Sequence, residues 1–120
     1  MLVIRAEQIA AFESAAQQRF LNKICGLLRS ELQRELSPID DHTLCTQVEA
    51  AWRKAGRYGI ESQRDIHRFA RQWVLWGDGY DERSEPQWVR QYLNDPNMTG
   101  SEKLDRLEYH YYIMGDRPAR

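Results

Sequence analysis

The stretch SQRDIHRFARQWVLWG, residues 62–77, decides the reading of the fold. Its apolar side chains fall at Ile66, Phe69, Ala70, Trp73 and Trp76, intervals of three and four residues that line them along one face of an α-helix. Ahead of them, Ser62-Gln63-Arg64-Asp65 resembles a capping box with Asp in place of the usual Glu, and Gly77 behind them ends the helix. A strand would alternate apolar and polar residues, and the chain holds no alternating run of useful length.

Upstream, the same period recurs. Between Ala6 and Leu36 there is no proline, and Ile9, Phe12, Ala16, Phe20, Ile24, Leu27, Leu28, Leu32 and Leu36 mark a long N-terminal amphipathic helix. At ~1.5 Å per residue it would outrun a small core, so one end projects or the helix bends near Gly26. Ser37-Pro38 stops it, because a proline ring excludes helical geometry from the residue before it. Asp40 or Asp41 can cap a second helix with Leu44, Val48, Ala51, Trp52 and Ala55 inward, closed by Gly56 or Gly59.

Downstream, DGYDERSE (78–85) sets four acids against one Arg among turn residues, and reads as a solvated loop. A short helix follows, with Pro86 near its first turn and Val89, Tyr92 and Leu93 inward. Thr99-Gly100-Ser101-Glu102 offers a second capping box, opening a last helix with Leu104, Leu107, Tyr111 and Met114 on one side. The expectation is an all-α single domain over residues 1–120, with five helices near 6–36, 41–57, 63–76, 86–94 and 100–114. Its core would contain Phe12, Phe20, Val48, Trp52, Phe69, Trp73, Leu93, Leu107 and Tyr111.

Charge narrows the partners. Residues 1–77 carry 11 basic and 9 acidic groups and residues 78–120 carry 6 and 9, so neither part is a basic domain of the kind that binds nucleic acid generally. Arg64, Arg68 and Arg71, at i, i+4 and i+7, share one helix face, and a helix-turn-helix reading would set them on phosphates. The Gly56–Glu61 linker is long for that motif, so a solvated, intramolecularly paired or protein-docking face is preferred. The apolar start Met1–Ile4 is too short for a signal peptide or a membrane span, which implies a cytoplasmic protein.

The chemistry-bearing residues form no catalytic or metal signature. His42, His67 and His110 lack helical ligand pairing, and the carboxylates of Asp78, Asp81, Glu82 and Glu85 lack the order of a calcium loop. Cys25 and Cys45 belong to no CxxC pair and read as reduced thiols near apolar stripes, with a disulfide between the first two helices as the lesser alternative. No enzyme activity, cofactor or metal is expected. Tyr80, Asp81, Glu82 and Trp88 combine aromatic and acidic groups in the manner of an interface with a polar rim, and together with Arg64, Arg68 and Arg71 are the expected protein-binding residues.

Several segments together resemble one group of proteins. These are AGRYGIESQRDI (55–66), the acidic turn with Asp81, Pro86 and Trp88, the stretch from Leu93 to Pro96, and KLDRL (103–107). The opening Met1-Leu2-Val3-Ile4-Arg5, followed by Glu7, Gln8 and Phe12, is also similar. The group comprises small helical proteins encoded in Gram-negative bacteria beside type VI secretion spike, PAAR-tip and effector genes. The resemblance implies a cytosolic accessory chaperone or adaptor that helps a secreted effector, or its adaptor chaperone, reach the spike or PAAR protein. An immunity protein that neutralises a cognate toxin is the alternative, and a homodimer through the first helix is a further expected assembly. The resembling motifs are packing and capping patterns, so no catalytic residue is carried over.

Overall fold

The computed structural model describes the backbone of residues 6–115 and the side chains of residues 14–115. Within that range the protein is all-α, with six helices and no strand. They are α1 (Ala6–Glu31), α2 (Gln33–Leu36), α3 (Asp41–Arg57), α4 (Gln63–Trp76), α5 (Gln87–Leu93) and α6 (Gly100–Glu108). The chain groups into two compact units that divide between Cys45 and Thr46.

In the first unit α1 and α2 bury Leu21, Ile24, Cys25, Leu28, Leu32 and Leu36, and the first turn of α3 adds Leu44. Ile24, Leu28, Leu32 and Leu36 are buried as expected, Leu21 and Cys25 widen the stripe, and of the other expected members Phe20 is half-buried and Leu27 exposed. Ile9 and Phe12 lie outside the described side chains. Helix α1 runs unbroken through Gly26. The helix breaks instead at Leu32, whose backbone leaves helical geometry at φ −119° and ψ 44°.

Arg29 secures that break. Its Nη1 donates to the carbonyl oxygen of Leu36 at 2.6 Å and its Nη2 to Asp41 at 2.8 Å, which satisfies a C-terminal carbonyl of α2 and pins the start of α3. Asp40 caps α3 by accepting the Thr43 amide at 2.7 Å, and that backbone hydrogen bond lowers the carboxyl's pKa.

In the second unit α3 ends on Gly59, at φ 72°. Ile60 N–H donates to the Ala55 carbonyl at 3.0 Å and Gly59 N–H to that of Gly56 at 3.4 Å, the bond pair of a left-handed glycine cap. The N-terminus of α6 sits directly on this turn. A β-carbon at Gly100 would lie 2.5 Å from the Gly59 oxygen and 2.9 Å from Ile60 Cα. Lys103 Nζ bridges the approach by donating to the Tyr58 carbonyl at 2.9 Å, and Thr99 and Glu102 complete the expected capping box at the start of α6.

Gly100→Ala should therefore destabilise the protein by about 1–3 kcal/mol through forced backbone displacement. Helix propensity alone would favour alanine over glycine by roughly 1 kcal/mol. Denaturant unfolding of the two proteins distinguishes the outcomes, and equal or greater stability of the alanine form would contradict the close approach.

Helix α4 is the centre of this unit. Ser62 caps it through the Asp65 amide, Gly77 ends it at φ 102°, and Ile66, Phe69, Ala70, Trp73, Val74 and Trp76 are all buried. Tyr80 packs at ring-centroid distances of 5.8 Å from Phe69, 5.9 Å from Trp73 and 4.8 Å from Trp76, and is 1% exposed. The expected solvated loop is thus corrected. Its middle is a 3-10 turn at Tyr80–Glu82 that inserts Tyr80 and Asp81 into the unit, an excursion permitted by positive φ at Gly77 and Gly79.

The expected core stands at Val48, Phe69, Trp73, Leu93 and Leu107, while Phe20, Trp52 and Tyr111 are half-buried. The last expected helix divides. Regular α-helix ends with α6, and Tyr109–Ile113 form a π turn in which the Met114 amide donates to the Tyr109 carbonyl at 3.1 Å. The wider turn carries the side chains out of register with Leu104 and Leu107. Met114, expected inward, is 59% exposed.

Candidate functional site

The expected docking residues separate into an inner and an outer set. Tyr80 donates its hydroxyl to Gln72 Oε1 at 3.0 Å inside the unit, and burial drives its pKa well above the ordinary tyrosine value. The side chain of Asp81 has no exposed surface. It accepts the Tyr58 hydroxyl and pairs with Lys54 Nζ at 3.0 Å, while Glu82, which is exposed, pairs with the same ammonium group. The Glu82 hydrogen bond raises the Lys54 pKa, desolvation opposes it, and the Asp81 interaction adds to the rise. Tyr58 is also raised, chiefly by burial and then by its bond to the Asp81 carboxylate. The acidic turn therefore answers a cation of its own chain, and Tyr80 and Asp81 are structural members of the unit.

The arginine stripe is likewise broken up. Arg64 is exposed and Arg71 half-buried, whereas Arg68 is held by three carboxylates. It reaches Glu108 through Nε at 2.9 Å and Nη2 at 3.0 Å, Asp105 at 2.7 Å and Asp65 at 3.0 Å, and the Glu108 bonds lead the rise in its pKa. Burial alone would raise the pKa of Asp65. Hydrogen bonds from Ser101, Arg68 and Ser62 overcome that and hold it below the usual carboxylate range. This clamp ties α4 to α6 and leaves the Arg68 guanidinium engaged within the fold.

Beside Lys54 lies a cavity of about 240 Å³ lined by Ala50, Arg53, Lys54, Arg57 and Trp73. It falls short of the roughly 300–1,000 Å³ usual for small-molecule sites. Two of its three cations are turned aside, Lys54 to Asp81 and Glu82 and Arg53 to Glu49 at 2.7 Å. Among the described residues no group of three or more His, Cys, Asp or Glu side chains is placed to hold a metal ion, and no helix is long and apolar enough to cross a membrane.

Among the described residues, the large apolar side chains that cluster at the surface lie at and beside the π turn, Leu27 being exposed by itself on α1. Tyr109, Tyr112, Ile113 and Met114 are 49%, 53%, 70% and 59% exposed, respectively, within six consecutive positions. Tyr111 lies between them, its ring 5.0 Å from that of buried Trp76 and 4.8 Å from Tyr112. His110 stacks on Trp88 at 4.5 Å and an interplanar angle of 13°, and its Nε2 meets the Tyr92 hydroxyl at 3.1 Å. Exposed aromatic and aliphatic groups thus stand on a packed base of Trp76, Trp88, Tyr92 and His110. Of the residues expected at a contact, Trp88 borders this surface. The signal in the sequence is the run YHYYIM (109–114), in which a regular helix could not turn every apolar member inward.

A scan against protein-family models finds no match, and neither a search of curated proteins nor a search of solved structures returns one.

Proposed function

We propose that this protein is a non-enzymatic, protein-binding accessory, an adaptor or co-chaperone that works in the cytoplasm on a type VI secretion effector. The observation that carries the binding role is the exposed turn of Tyr109, Tyr112, Ile113 and Met114. Exposed apolar clusters on a packed, partly aromatic base have the composition of interface anchors. The partner class rests on the segments that resemble proteins encoded beside spike and effector genes. The nucleic-acid reading is weaker, because Arg68 is engaged by Asp65, Asp105 and Glu108 and only Arg64 of the stripe is exposed.

Co-purification of the tagged protein with the products of its neighbouring genes tests the proposal. The wild type should retain an effector, adaptor or spike protein. A Tyr112→Ser, Ile113→Ser double variant should bind that partner about tenfold more weakly or worse, at ~1.4 kcal/mol per decade, while keeping its helical circular dichroism. Undiminished binding by a folded double variant would remove the π turn from the interface.

A further inference from the structure

The chain has two cysteines, and the first unit brings them together: Cys25 Sγ and Cys45 Sγ are 3.0 Å apart. Both are free thiols, Cys25 buried and Cys45 half-buried. Their alignment is set by a second rung. Arg29 stands four residues after Cys25, Asp41 four residues before Cys45, and these two are joined at 2.8 Å. Residues four apart share a helix face, so α1 and the first turn of α3 meet antiparallel at an ion pair and at a thiol pair. Ile24, Leu28 and Leu44 are buried at the same level. A disulfide requires sulfur atoms ~2.05 Å apart, so closure asks the two sulfur atoms to approach by about 1 Å.

We propose that Cys25 and Cys45 are a redox modification site, which a small-molecule disulfide such as oxidised glutathione converts reversibly into an intramolecular disulfide joining α1 to α3. Cys45, the more accessible thiol, reacts first. Its thiolate attacks one sulfur of glutathione disulfide, forming a mixed disulfide and releasing one glutathione thiolate. Cys25 then gives its proton to solvent and attacks Cys45 Sγ, breaking the bond to glutathione and releasing the second thiolate. Two electrons pass from the protein thiols to the glutathione disulfide, and reduced glutathione in excess runs the exchange backwards.

Burial pushes the Cys25 thiol up to about 12, and hydrogen bonding and charge interaction with Cys45 add to the rise. A buried, protonated Cys25 is the poorer first nucleophile, which together with the greater accessibility of Cys45 assigns the first step to Cys45. The closed bond also restricts the unfolded chain between residues 25 and 45, so the oxidised protein should resist denaturant better than the reduced one.

The test treats the folded full chain with oxidised glutathione, blocks remaining thiols with N-ethylmaleimide, and maps the products by intact mass and non-reducing peptide analysis. The wild type should lose both thiols in a monomeric Cys25–Cys45 product, unfold at a higher denaturant midpoint, and revert with dithiothreitol. Cys25→Ser should stop at a glutathione adduct on Cys45, and Cys45→Ser should remain unmodified. The proposal is overturned if the wild type retains both thiols, stops at the mixed disulfide, links into intermolecular dimers, or closes only in denaturant. The wild-type arm decides the question even if a variant fails to fold.

Discussion

Trp73→Ala should lower the unfolding free energy by about 3–5 kcal/mol in denaturant titration. The indole is 4% exposed, lies 6.0 Å from Phe69 and 5.9 Å from Tyr80, and donates its Nε1 proton to Asp78. Truncation removes its apolar contacts and leaves a cavity at the middle of α4, where close packing limits collapse. It also deprives Asp78 of a donor that anchors the chain between Gly77 and the 3-10 turn. A near-neutral effect would make Trp73 a surface group and contradict the core described for the second unit.

Lys54→Met should cost about 3–5 kcal/mol, because it strands a carboxylate that has no exposed surface. Methionine keeps an apolar stem of similar length while removing the ammonium group shared by Asp81 and Glu82. Asp81 Oδ2 would keep only the Tyr58 hydroxyl, and Oδ1 already lacks a hydrogen-bond partner among the described residues. The companion variant Lys54→Met, Asp81→Asn removes the stranded charge and should recover part of the loss. A double-mutant cycle measured by denaturant unfolding gives the coupling. Additive losses from the two single changes would show that Lys54 and Asp81 act independently, against the buried pair.

These two sites differ in how far the sequence discloses them. The helical bounds of α3 and α4 were legible because caps and glycines act over a few residues: Ser62 and Gly77 frame α4, and Gly59 closes α3. Trp73 on the inner face of α4 followed from the same period. The acidic turn was misread because its pairing is not local. Asp81 is stabilised by Lys54 on α3 and Tyr58 in the turn that follows α3, both more than 20 residues upstream. Composition marks such a turn as polar and says nothing of the distant cation that permits its burial.

The break at Leu32 and the π turn were missed for a related reason. Gly26 is the weak helix former, yet the helix passes through it, and interruption falls where Arg29 can reach the Leu36 carbonyl. At the other end, period counting placed Tyr111 and Met114 inward with Leu104 and Leu107. The five-residue hydrogen-bond spacing at Tyr109–Met114 changes that phase, half-burying Tyr111 against Trp76 and exposing Met114. The surface with the strongest claim to a partner is therefore produced by a local departure from the periodicity used to read the helix.

The proposed role, an accessory that delivers an effector through the turn at Tyr109–Met114, can be measured as effector delivery from a deletion strain. That strain is complemented with the wild type or with the Tyr112→Ser, Ile113→Ser variant, and its sensitivity to attack by siblings is scored alongside. Deletion should abolish delivery and leave the strain immune, the wild-type gene should restore delivery, and the folded double variant should not. Intact delivery with new sensitivity would make the protein an immunity factor, and no change in either phenotype would contradict the secretion role altogether.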